Sequence, residues 1–185
     1  QKMIDQLKRR KMIKNKLQTA LKNDGFKLCY QPQVNLKTGN ADFIEALLRF
    51  KRNTISPAEF IPIAEKSGLI IEIGRWVTKE AVKQLSIIKN EYKKDLKISI
   101  NFSPKQIRDK NYLSFLKSML QKYEVKASSL EIEITESILI EDSQSIEFIN
   151  KLKKIGVQIA LDDFGTGYSS FSYLGYLNVD KVKLD

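Results

Sequence analysis

From Leu96 to Leu184 short apolar runs alternate with amphipathic stretches, and this alternation constrains the fold more than any other feature of the chain. It predicts strands over 96–101, 130–135, 157–161 and 179–184. Helical stretches are predicted between them over 103–123, 143–155 and 169–177, with Gly156 stopping the second. Strand–helix–strand repetition at this length gives parallel strands joined by right-handed crossovers. Upstream, 26–34 and 41–50 flank the turn residues Lys37-Thr38-Gly39-Asn40, the pattern of an antiparallel pair. Ser56-Pro57-Ala58-Glu59 predicts a helix start with Ser as cap and Pro at the first position; Gly68 ends it. A further helix is predicted over 74–90.

Residues 1–21 carry apolar side chains at helical spacing, interrupted by the basic stretch from Lys8 to Lys11. They form either a signalling linker from an upstream domain or an amphipathic lead-in. A start at Gln1 rather than Met suggests a piece of something longer. Cys29, the single cysteine, permits no internal disulfide, fits a reducing cytosol and is expected as a small buried strand residue. No apolar run approaches the roughly 20 residues of a membrane span.

The chain has no histidine, which excludes a Ser-His-Asp triad, a Cys-His dyad and a histidine-rich zinc site. Any metal must use oxygen donors, which favours hard cations such as Mg²⁺ or Mn²⁺. The net charge of +10 favours anionic partners, but no recognition helix or stacking motif for a nucleic acid is present.

The informative polar residues fall at or near the ends of predicted strands: Glu45, Asn101, Glu133 with Glu136 just beyond, the adjacent Asp162 and Asp163, then Lys183 and Asp185. In a parallel α/β barrel the carboxyl ends of the strands share one rim, where active sites are built. Carboxylates crowded into a partly dry pocket either hold protons or bind cations. With oxygen donors alone, cation binding is the simpler solution, and the Asp162-Asp163 pair has the form that serves two ions. Two nearby ions are a recurring device for phosphodiester hydrolysis. Lys183 then either orients the attacking water or contacts the phosphate. Asn101 has a second reading, as a cap for the helix that follows it.

The segments YQPQVNLKTGNADFIEALLRF, ISPAEFIPIAEKSGLI, INFSPKQI, LEIEITES, DDFGTGYSSFSYL and VDKVKLD resemble the EAL domain, in that family's order and from about residue 22 to the last residue. The name of the family matches Glu45-Ala46-Leu47 here. The resemblance implies a modified TIM (β/α)8 barrel with an antiparallel first strand, of which this chain reaches about six of the eight strands. It divides the chain into a linker helix, 1–21, and the EAL-like domain, 22–185.

It also implies a bacterial cytoplasmic enzyme that uses Mg²⁺ or Mn²⁺ to hydrolyse cyclic di-GMP to linear pGpG. Glu45, Asn101, Glu133 and Asp162 are implied metal ligands, with Asp163 on a second ion. Glu136 is implied to hold the loop after the Asp pair, a loop linked to dimerisation. Lys183 is implied to lie beside the attacking water, and Gln31, Arg49 and Asp185 to contact substrate. Homodimerisation and an upstream sensor or GGDEF-type domain follow from the same likeness. Family members continue past VDKVKLD with further strands and a further acid. This chain is therefore expected to turn over slowly or not at all, and either to be marginally stable or to recruit another chain to cover its open sheet edge. A non-catalytic cyclic di-GMP receptor or regulatory interaction domain is the alternative.

Overall fold

The computed structural model describes residues 1–52, 55–135, 143–165 and 178–184. Its strands are β1 (Phe26–Gln33), β2 (Phe43–Phe50), β3 (Lys97–Asn101), β4 (Leu130–Thr135), β5 (Gln158–Phe164) and β6 (Lys181–Leu184). Its helices are α1 (Lys2–Lys22), α2 (Pro57–Ser67), α3 (Ile70–Tyr92), α4 (Tyr112–Lys122) and α5 (Ser143–Ile155). The strands make one six-stranded sheet in chain order. β1 and β2 pair antiparallel with Gln31 opposite Glu45, and every later neighbour is parallel.

Side chains alternate across the sheet. On one face Ile98, Ile100, Ile132, Ile134, Ile159 and Leu161 are at most 1% exposed. They share a core with Phe60 and Ala64 of α2, Ile73, Val77 and Ala81 of α3 and Leu116 of α4. Ile13, Leu17 and Ala20 belong to the same core, so the second half of α1 packs into this unit. Across the helices, Arg9 of α1 grips Glu59 of α2 with bonds of 2.7 and 3.1 Å. That grip changes the expected cap of α2. Ser56 occupies the cap position without a side-chain hydrogen bond, and Glu59 turns to Arg9 instead of back to the chain.

Three other predicted boundaries move. The third helix starts at Ile70, because Gly68 takes the left-handed conformation and the chain re-enters a helix after one further residue. The predicted 103–123 stretch divides into a 3₁₀ turn, Pro104–Arg108, and α4, with Asp109 at the break held by Arg75. β5 runs through both aspartates to Phe164. Cys29 is half-buried on β1. The helix predicted over 169–177 lies outside the described residues.

Candidate active site

The second face of the sheet is polar. Glu45, Ser99, Asn101, Glu131, Glu133, Asp162, Lys181 and Lys183 come from five strands at two-residue spacing, so the pleat turns them to a common lumen. Lys183 is central. Its Nζ donates to Glu133 Oε2 at 2.7 Å and to Asp162 Oδ2 at 3.0 Å, and lies 3.5 Å from Glu45 Oε2. The Asn101 side-chain amide donates to Glu45 Oε1 at 2.9 Å. Asn101 therefore does not cap the following turn. Ser103 does that, forming a capping box with Gln106.

Burial grades these acids. The Glu133 side chain is fully buried, whereas Asp162 and Glu45 keep 19% and 17% of their exposure. Burial pushes the Glu133 carboxyl above the usual range; the hydrogen bond from Lys183 and the neighbouring Ser99 hydroxyl oppose this, and Glu45 adds to it. For Lys183, burial disfavours the charge, but the bonds to Glu133 and Asp162 outweigh it and raise its pKa. One ammonium thus faces three carboxylates. Glu133 Oε1 is buried without an aligned hydrogen bond, as are Ser99 Oγ and Glu131 Oε1, the last of which lies 2.7 Å from the Lys181 ammonium as an ion pair.

That oxygen-rich set fits a hard divalent cation in its chemistry. Its arrangement is another matter. Among the described residues no three acidic side chains stand ready to hold a metal ion as they are; Lys183 takes the middle ground between them. Asp163 sits at the irregularity in the β5–β6 pairing, with a left-handed backbone (φ 56°) and an exposed side chain. Its backbone N–H donates to Asp162 Oδ1 at 3.1 Å. Gln31 is the register partner of Glu45. Arg49 lies four residues beyond Glu45 on β2, and its guanidinium donates to the Leu48 carbonyl at 2.9 Å. Glu136 and Asp185 lie outside the described residues.

Several supporting residues escaped the sequence reading. Ser103 Oγ donates to Glu65 Oε1 at 2.7 Å, tying the loop after Asn101 to α2. Gln106 Oε1 accepts from the Ser103 N–H at 3.0 Å, and the Gln106 amide packs against Gly74, where a Cβ would lie 1.9 Å away. Arg75 holds Asp109 with two bonds of 2.6 Å. Lower in the lumen, Lys181 pairs with buried Glu131 at 2.7 Å. Lys181 and Glu131 each precede a singled-out residue by two positions, so the two-residue strand period was a signal that could have found them.

The fold and site define an α/β sheet of barrel type whose lumen holds an acidic cluster, with Glu133 and Asp162 toward the carboxyl ends of their strands and Glu45 nearer the start of β2. The family model described as "EAL domain" matches residues 14–185, and the chain belongs to that family. Cyclic di-GMP phosphodiesterase PA2567 of Pseudomonas aeruginosa is 39% identical over 166 residues, 88% of this chain and 28% of that protein. Cyclic di-GMP phosphodiesterase PdeR of Escherichia coli is 38% identical over 173 residues, 91% of this chain and 26% of that protein. Among solved structures, the PaMucR phosphodiesterase in complex with c-di-GMP superposes with a TM-score of 0.86 at 35% identity, covering 94% of this chain and 72% of that one. The chain spans about a quarter of the length of the curated relatives it matches.

Proposed function

We propose that this chain carries the catalytic cluster of a metal-dependent phosphodiesterase that hydrolyses cyclic di-GMP to linear pGpG in bacterial second-messenger signalling. The observation that supports it most is the convergence of Glu45, Glu133 and Asp162, from three strands, on one cationic position. Relatives named as cyclic di-GMP phosphodiesterases, and a structural neighbour solved with c-di-GMP, give the substrate class.

In this reading Glu45, Asn101, Glu133 and Asp162 would hold Mg²⁺ or Mn²⁺, and Asp163 would serve a second ion. A divalent ion bound there supplies positive charge for phosphate oxygens and makes water more acidic. Lys183 Nζ turns from the acids to the attacking water or to a phosphate oxygen. Water adds to phosphorus and one P–O bond of the ring opens, leaving a 5′-phosphate and a 3′-hydroxyl. Arg49 takes a phosphate through its planar fork, and Gln31 and Asp185 hold the nucleotide. Glu136 holds the loop after the Asp pair. A homodimer, an upstream sensor or GGDEF-type domain and a cytoplasmic setting belong to the same proposal. Among the described residues no helix is long and apolar enough to cross a membrane.

Incubation of the chain, and of its full parent protein, with cyclic di-GMP and MnCl2, followed by separation of nucleotides, tests the reading. Formation of pGpG by the parent supports it. Unchanged substrate with both proteins overturns it. The placement of Lys183 among the acids favours a second reading, a receptor that binds cyclic di-GMP without metal. Calorimetric binding that is unaltered by EDTA, with no turnover by the parent, selects the receptor.

A further inference from the structure

β6 has only four residues, and among the described residues it pairs with β5 alone. Its pairing is regular at Ala160–Lys181 and Leu161–Val182, then shifts before Phe164–Leu184. Strand register is normally fixed by which side chains must be buried. Here the outward residues cannot fix it, since Val182 is 39% and Leu184 80% exposed. Asp180 fixes the start of the strand, exchanging bonds of 2.8 Å with the Ile159 N–H and carbonyl. Its other partner is Lys153 on α5, so it binds nothing in the lumen.

The lumen holds two ion-pair rungs at the same two-residue spacing. Lys181 meets Glu131 at 2.7 Å, and Lys183 meets Glu133 at 2.7 Å. The Lys181 ammonium also lies 4.1 Å from the centre of the Phe43 ring and 3.4 Å from Gln33 Oε1, which seats it on β1 and β2. The upper rung alone does not distinguish the two lysines. A two-residue slide would give Glu133 an equally good partner in Lys181. It would also break the two Asp180–Ile159 bonds and take from Glu131, which is 2% exposed, its ion-pair partner. That would leave, as the other ammonium at that end of the lumen, Lys97, which is held by Gln158 at 2.9 Å.

We infer that Glu131, through its ion pair with Lys181, is a positioning residue that carries the register begun at Asp180 into β6, so that Lys183 reaches the acid cluster. The catalytic consequence rests on the role proposed for Lys183 above; the positioning itself does not. Glu131 touches no substrate and acts through β6.

Three variants of the full chain and its parent test this: Glu131→Gln, Lys181→Met and the exchange Glu131→Lys with Lys181→Glu. The readouts are amide hydrogen exchange by strand and, with MnCl2 and cyclic di-GMP, kcat and KM. Glu131→Gln and Lys181→Met are expected to speed exchange in β6 about tenfold relative to β3 and β4, and to lower kcat about tenfold with KM little changed. The charge exchange restores most of both. Native protection of β6 in Glu131→Gln overturns the inference, as does an equal loss of protection across the sheet or an exchanged pair that restores nothing. A wild-type parent that does not hydrolyse cyclic di-GMP defeats the functional reading alone, because the exchange measurements still decide the positioning.

Discussion

Lys183 on β6 reaches across β5 to donate to Glu133 on β4 at 2.7 Å, so a bond between non-adjacent strands closes the centre of the acid cluster. In this state the ammonium occupies ground that the proposed cation would share.

Removing the ammonium should expose that competition. Lys183→Met leaves Glu133, Asp162 and Glu45 facing one another without a counter-charge. The expected loss is about 1–3 kcal/mol, or roughly 5 °C in Tm, measured in EDTA. MnCl2 should then raise the Tm of the variant more than that of wild type. Equal melting in EDTA, or a smaller metal-induced gain, would contradict the proposed overlap.

The acids themselves should carry metal affinity. Asp162→Asn and Glu133→Gln keep shape but remove charge. Each is expected to weaken Mn²⁺ binding by calorimetry at least about tenfold, and to reduce turnover by the parent about a hundredfold. Wild-type Mn²⁺ affinity in both variants would remove these residues from the metal site.

The loop that presents Asn101 has its own test in Gly74→Ala. The added methyl would meet the Gln106 amide at 1.9 Å, and Gln106 is buried and engaged with the Ser103 N–H. Overpacking of this kind costs about 1–3 kcal/mol, read by denaturant unfolding. Adding Gln106→Ala should recover part of the loss, since it removes the obstacle. A neutral Gly74→Ala would show that the contact yields freely.

Asp109 predicts a pH dependence. The bonds from Arg75 hold its carboxyl below the usual aspartate range, against the opposing effect of burial. A depressed folded-state pKa contributes stability that is complete above the unfolded value, roughly 4, and is lost as pH falls through the folded value. Asp109→Asn should cost about 1–2 kcal/mol at neutral pH and flatten the acid limb of the stability profile below pH ~4. An acid limb identical to that of wild type would assign it to other groups.

How much of the site was legible depends on the residue. Asn101, Glu133, Asp162 and Lys183 were legible because each sits near the carboxyl end of a strand in a parallel pattern, and such ends share one rim. Glu45, third in β2, was legible through the Glu45-Ala46-Leu47 motif instead. Asn101 still had two readings, as a cap or as a site residue, until its amide was found on Glu45. Glu131 and Lys181 looked like ordinary charged strand residues. Only the sheet shows them opposed in the lumen across an intervening strand. The break in the 103–123 stretch was hidden for a related reason: Asp109 is held by Arg75, a residue 34 positions away.

The sequence by itself determined the alternation, the antiparallel opening pair and which strands carry acids, because two-residue and helical periods and turn residues are local properties. The tertiary structure alone decided that Lys183 stands among those acids, that Glu131 holds its neighbour two residues back, and that Ser103 hangs from Glu65. Those facts depend on register between strands and on which helix face meets which loop. Both follow from packing between segments distant in the chain, on which local periodicity is silent.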